Sequence, residues 1–393
     1  MSVAIGVVGY LLTRPALARL PSDPETAATV VPLAADYMEI IFLGIPLMFG
    51  FFVFSAILRG YGNTRTPMFV MISSVVANAI LDPLFIFGFE GNPLVSWFSI
   101  LPGLVELESW LLATTGFSGY GIEGAAIATI LARGLAAAIA MALLFTTPVG
   151  PNIRLEHLKP DLSVVRDILR LGIPATIEQA TSALAMITLT AMVVTFPPPV
   201  VAAYGLGNRL ISIVILPAMG LGRAMDTIVG QNLGADQSER AARAVWIAVM
   251  TGAGVMFLVA VVAVTIAEPI VSVFLGDVPD APETIAHGAE YIRIRSVEFT
   301  FIGVSQVLLG AFRGAGNTTT ATVISICTQW VGAVGSVFLL VFVLDWGTLG
   351  IWVGMAVGNI LGAFVGVAWF IRGTWKDAYI QTESASTDLA GDE

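Results

Sequence analysis

Nine apolar runs, each long enough to cross a bilayer, follow one another along this chain. They lie at approximately 36–58, 67–89, 121–146, 171–196, 201–229, 242–267, 292–312, 319–344 and 348–371. A helix rises 1.5 Å per residue, so roughly 20 apolar residues cover about 30 Å of hydrocarbon. The expected fold is therefore all-α and polytopic. Composition agrees: 56% of the 393 residues are hydrophobic and 12% are charged, against roughly 25% charged in an ordinary soluble domain. A water-soluble enzyme is excluded, and no enzymatic activity is expected.

The run from Met1 to Arg14 offers only about a dozen apolar residues, too few to span. It has neither a basic leading segment nor a small-residue cleavage site, so it reads as the second half of a span and not as a signal peptide. About ten spans are present when it is counted.

Eighteen basic and 28 acidic residues leave a net charge of −10. That balance disfavours nucleic acid, whose phosphates require clustered Lys and Arg. Sixteen of the 18 basic residues are Arg, and an acidic, Lys-poor surface fits life in high salt. Cys327, the single cysteine, falls inside an apolar run, so no intrachain disulfide can form. His157 and His287 stand 130 positions apart with no ligand cluster around them. No metal centre and no cofactor are expected, apart from a coupling ion considered below.

Basic residues favour cytoplasmic loops. One alternate set of connections holds Arg59, Arg65, Arg154, Lys159, Arg166, Arg170, Arg240, Arg243, Arg313, Arg372 and Lys376; the other holds only Arg14 and Arg19. This asymmetry predicts a multi-pass protein of the cell membrane with a cytoplasmic C-terminus. The long connection from Glu90 to Tyr120 places Trp97 and Trp110 beside an apolar stripe, a pattern that predicts an interfacial helix.

The chain also repeats itself. LRGYGNTRTPM at Leu58–Met68 matches FRGAGNTTTAT at Phe312–Thr322 at an offset of 254, and each copy sits directly between two apolar runs. The small-residue run after Gly121 matches the one after Gly350. Six spans separate the R-G-x-G-N-T copies, an even number, so both have one orientation: a parallel repeat of the kind found in secondary transporters. Applied to a second half that begins near Arg166–Leu171, the offset puts the start of the first half some 87 residues before Met1. Two spans and part of a third are then expected to be missing. Four segments follow: an incomplete N-lobe at 1–150, a cytoplasmic inter-lobe linker helix at 151–170, a C-lobe at 171–375, and a disordered acidic tail at 376–393.

The paired R-G-x-G-N-T loops, NAILDPLFIFG at Asn78–Gly88, GAAIAT at Gly124–Thr129, and AAYGLGNRL followed by LPAMGLGRAMDTIVGQNLGA within Ala202–Ala235 resemble the multidrug and toxic compound extrusion (MATE) family. The resemblance runs from Met1 to about Trp375. It implies a Na⁺- or H⁺-coupled antiporter that exports organic, often cationic compounds by alternating access between two six-helix lobes, with a small organic substrate, the bilayer as its surroundings, and a monomer. Members of the archaeal and DNA-damage-inducible-type branch carry a cation site in the N-lobe; Asn78, Asp82 and Thr129 match three of its residues. The fourth, an Asp on the first span, has no counterpart here.

The residues themselves support such a site. Burying a charge in mid-bilayer costs roughly 2.5–3.5 kcal/mol on insertion scales, so an intramembrane carboxylate needs stabilising neighbours. Asn78 lies four positions before Asp82, on the same helical face; Thr129 would add a hydroxyl, and the three oxygens suit Na⁺ while a desolvated carboxylate suits H⁺. An interhelical hydrogen bond alone is the other explanation. Glu178, Gln179, Gln306 and Gln329 are candidates to line a substrate or cation cavity, together with Asn208, each alternatively holding two helices together. Asp226 stands three residues after Arg223, and Glu298 follows Arg293 and Arg295, spacings that predict ion pairs. Met48, Met68, Met71, Met186, Met219 and Phe301 offer an adaptable apolar surface. The R-G-x-G-N-T arginines are expected to anchor their loops at the headgroups. A lipid-linked saccharide flippase would instead need several cavity arginines, for which Arg133 and Arg209 are the nearest candidates; a non-transporting membrane fragment is a further alternative.

Overall fold

The computed structural model describes residues 2–19, 24–98, 107–147, 150–151, 162–275 and 281–376. These form helices α1 (Ser2–Leu17), α2 (Pro24–Gly60), α3 (Arg65–Phe87), α4 (Pro93–Phe98), α5 (Leu107–Thr115), α6 (Gly121–Thr146), α7 (Leu162–Val193), α8 (Pro198–Leu233), α9 (Ser238–Thr265), α10 (Ala267–Leu275), α11 (Ala281–Ser296), α12 (Phe299–Gly314), α13 (Thr318–Ile326), α14 (Gly335–Phe338) and α15 (Gly347–Ile371). Of two π-helical segments, Cys327–Val334 joins α13 to α14 and Leu339–Val343 extends α14, making one long rod. No strand occurs among the described residues. The chain divides into an N unit, Met1–Lys159, and a C unit, Pro160–Glu393.

Seven described helices are long and apolar enough to cross a membrane, and α11 with α12 make an eighth if the pair is one span bent by 50°. The ninth expected span, 171–196, falls largely in α7, a helix of 32 residues that is not among these and carries Glu178 and Gln179 in its interior. Residues 162–170, expected as part of a separate linker helix, are the first turns of α7. The remainder of the expected linker from 152 to 161 and the tail beyond Lys376 lie outside the described residues. The Glu90–Tyr120 connection contains two short helices, α4 and α5, where a single interfacial helix was expected. Trp97 and Trp110 are exposed on them as anticipated.

In the N unit α6 packs against α2 and α3, and α1 against α2. Small residues let α6 approach closely: its buried positions are Gly124 and Leu144 together with six alanines. Asn92 closes the far end of α3. Fully buried, it donates Nδ2 to the carbonyls of Pro83 (2.9 Å) and Gly88 (2.6 Å) and accepts at Oδ1 from Leu94 N (2.9 Å). It thus pairs the Gly88 carbonyl, which lies past the last helical amide, and adds a second donor to the Pro83 carbonyl in the last turn. Asn92→Ala is expected to cost about 1–3 kcal/mol, the usual penalty for orphaned buried polar groups, and thermal unfolding in detergent would measure it.

The C unit is built around α12, which packs against α8, α9 and α15. Glycines bring the backbones together. A Cβ on Gly222 would sit 2.5 Å from the Gln306 carbonyl oxygen, and one on Gly314 2.5 Å from that of Asp226. On α15, Gly350, Gly354, Gly358, Gly362 and Gly366 recur every four residues; four of them face the rod of α13 and α14 and Gly366 faces Leu308. This is the small-residue packing that membrane helices use where no hydrophobic effect draws them together.

The two R-G-x-G-N-T turns are the same structure twice. Gly62 and Gly316 occupy left-handed conformations (φ 90° and 74°). The Asn63 amide donates to the Leu58 carbonyl at 2.8 Å and the Asn317 amide to the Phe312 carbonyl at 2.9 Å; Gly62 and Gly316 donate to Arg59 and Arg313 at 3.0 and 2.9 Å. That is a Schellman closure, which requires the positive φ that glycine adopts freely. Each asparagine then caps the next helix, Asn63 Oδ1 accepting from Thr66 N (3.1 Å) and Asn317 Oδ1 from Thr320 N (3.2 Å). All partners are 254 positions apart, so the repeat extends to individual hydrogen bonds.

Candidate functional site

In the N unit the Asn78 and Asp82 spacing does what one helical turn allows: Asn78 Nδ2 donates to Asp82 Oδ1 at 2.9 Å. Both side chains are half-buried. Ser74 Oγ donates to the Ala132 carbonyl at 3.0 Å, and Gly124 abuts the Phe85 backbone. These two contacts fix the antiparallel register of α3 and α6 and set Thr129 level with Asn78. Thr129 makes no hydrogen bond among the described residues, so the structure brings it to the right height without joining it to the pair. One turn further along α6, Arg133 Nη1 contacts Met71 Sδ at 2.8 Å.

In the C unit, Glu178, Gln179, Gln306 and Gln329 surround one cavity of about 370 Å³ with Arg223, Asp226 and Arg313 at one end. Glu178, 5% exposed, accepts from Arg313 Nη1 at 3.0 Å, and Asp226 accepts from Arg313 Nε at 3.4 Å. Arg313 therefore reaches into the unit and holds two carboxylates, where headgroup anchoring was expected of it. Its partners lie 135 and 87 positions away, beyond anything local spacing signals. Asp226 likewise takes a partner on another helix, which its spacing from Arg223 does not foreshadow.

Gln179, Ser182, Gln306, Gln329 and Asn359 also line a second cavity of about 430 Å³, so the two are continuous. Met219 contributes to the first and Met186 to the second. At the far end stands the pair Arg295–Glu298, with Arg295 Nη2 2.8 Å from Glu298 Oε1. It closes the break between α11 and α12. The cation falls in the last turn of α11 and the anion at the cap of α12, so each charge complements its helix dipole. Glu298 is fully buried and accepts a further bond from Asn359 Nδ2 at 3.1 Å. Arg293 points elsewhere, 3.8 Å from Glu268. Sequence reading did not single out Asn359; an asparagine inside the apolar run 348–371 was the available signal. Among the described residues no group of three metal-ligating side chains occurs.

Two bundles of spanning helices, one of them enclosing a long cavity lined by amides and paired charges, define a polytopic membrane protein. A sequence profile of the MatE family matches residues 1–84 and 174–338, and the chain belongs to that family. It is 28% identical over 383 residues to the probable multidrug resistance protein YpnP of Bacillus subtilis, covering 98% of this chain and 77% of that protein. It is 26% identical over 328 residues to the FAD transporter of Shewanella oneidensis, covering 82% and 64%. Among solved structures, a MATE protein in complex with MaL6 superimposes with a TM-score of 0.82 at 22% identity, covering 96% of this chain and 76% of the other. An outward-facing MATE transporter of the MOP superfamily gives 0.79 at 22%, covering 96% and 77%.

Proposed function

We propose that the protein is a cation-coupled antiporter of the cell membrane, with a cytoplasmic C-terminus, that exports organic compounds by alternating access in exchange for Na⁺ or H⁺. The observation that carries this reading is the Asn78–Asp82 hydrogen bond inside the membrane-spanning helix α3. A carboxylate there is costly unless it is used, and intramembrane acids mark ion pathways. Asp82 is the exchanging group; Asn78 and Thr129 supply neutral oxygens, and the ion is the only cofactor. Family membership and relatives named for multidrug resistance support an organic substrate. The flippase alternative needs several uncompensated cavity arginines, whereas of the three described arginines lining the C-unit cavity Arg295 and Arg313 each bind a carboxylate and Arg223 alone is left for such a role.

Vesicles reconstituted with the purified protein and given either a sodium or a proton gradient provide the test. One gradient is expected to drive ethidium against its concentration. Failure of both would reject coupled transport and leave the membrane-fragment alternative.

A further inference from the structure

The C-unit cavity ends in a pair of hydrogen-bond donors that cation coupling at Asp82 leaves without a role. Tyr291 is completely buried between them. Its hydroxyl donates to Asn208 Oδ1 at 2.7 Å, which fixes the amide so that its Nδ2 is the group left over; no described residue takes that donor. The Tyr291 ring also lies under the Arg295 guanidinium, 5.7 Å from centroid to Cζ, a cation–π contact that holds the group in place. Trp352 packs on the same ring at 4.7 Å and Tyr204 at 6.3 Å. One rigid aromatic cluster thus orients two donors on different helices.

Asn208 and Arg295 both line the 430 Å³ cavity. Arg295 is 8% exposed, its carboxylate contact is through Nη2, and its buried Nε has no hydrogen-bond partner. A guanidinium so deep in a membrane protein is expensive, and its single ionic partner does not occupy all five of its N–H groups. Glu298 takes both Arg295 and Asn359, so the donors left over at this end are chiefly those of Asn208 and Arg295. Charge-assisted donors held at a fixed angle suit a planar, two-oxygen acceptor.

Resting on the transporter reading above, we propose that the Arg295–Asn208 end of the C-unit cavity is a subsite for the carboxylate of the transported compound, with Tyr291 as the positioning residue. The protein then accepts zwitterionic and acidic amphiphiles as well as cations. The opposite end, where Arg223 and Arg313 stand beside Glu178 and Asp226, balances its cations with as many carboxylates and so gives a further carboxylate no net attraction.

Fluorescence polarisation with purified protein in detergent tests this, with a rhodamine bearing a free carboxylate and the methyl ester of the same rhodamine as probes. Two variants are compared: Asn208→Asp, which keeps the acceptor for Tyr291 and removes the donor, and the charge-neutral double variant Arg295→Gln with Glu298→Gln. Each is expected to weaken the acid at least about tenfold, the equivalent of one charge-assisted hydrogen bond, and the ester by less than about twofold. Tyr291→Phe should weaken the acid in the same direction, and Arg295→Lys in the wild-type background should restore little, since the fixed fork is lost. Equal losses for both dyes, or none, would overturn the subsite while leaving the transporter reading intact. Binding of neither dye by the wild type would overturn the subsite and count against an organic substrate as well.

Discussion

Asp82→Asn is expected to reduce ion-driven efflux to the level of vesicles without protein, while the variant still inserts and accumulates in the membrane. Asparagine keeps the outline of the side chain and an oxygen able to accept from Asn78 Nδ2, so the local structure of α3 should persist. What disappears is the charge, and a neutral amide can neither exchange protons nor hold Na⁺ strongly in a medium of low dielectric. Transport that survives the substitution would remove Asp82 from the coupling role. Asn78→Ala removes only one neutral ligand and should lower apparent ion affinity without abolishing turnover. The measurement is ethidium efflux under whichever gradient drives the wild type, normalised to protein detected in the membrane fraction.

The second large effect is structural. Gly358→Val places a Cβ 2.7 Å from both the backbone nitrogen and the Cβ of Ala333, and 2.9 Å from its Cα. No rotamer relieves a clash with backbone; α15 and the π-helical segment have to separate. Overpacking a close interface costs typically 1–3 kcal/mol and more when nothing can yield, and the glycine stripe has no slack, since Gly354 lies 2.6 Å from the Val337 nitrogen on the same terms. Loss of about 3 kcal/mol or more is expected, seen as a large drop in the unfolding temperature in detergent. Gly254→Ala on α9, with nothing within 4 Å of the new Cβ, is the control and should be neutral or stabilising by up to about 1 kcal/mol. Equal behaviour of the two variants would mean that the close approach of α15 is not what holds the C unit together.

Which parts of this molecule were legible beforehand follows from the range of the forces involved. Apolar runs and one-turn spacings are local, so the spanning helices, the Asn78–Asp82 contact and the Arg295–Glu298 pair could be read from periodicity. For Glu178, Gln179, Gln306 and Gln329 the sequence left open whether they line a cavity or hold helices together; all four border one cavity, and Glu178 also binds Arg313 on another helix. The 50° break before α12 was not, since residues 292–312 read as one uninterrupted run, and neither were the π-helical segments. The reach of Arg313 to Glu178 and Asp226 depends on three helices meeting, and no pattern within twenty residues of Arg313 encodes it. Asn359 was overlooked for a related reason: a lone amide in an apolar helix has meaning only once Glu298 is known to face it.

The Asn317 turn has a mechanical corollary. Its asparagine is at once the closing residue of α12 and the cap of α13, so these helices are welded at that end and swing as a single jointed arm. Whatever freedom the arm has must then come from elsewhere along it: the kink at Glu298 on one limb and the loosely wound coils after Cys327 on the other. Bending of that arm would then fall at positions that border the C-unit cavity, where Arg295 and Gln329 would be carried along by it.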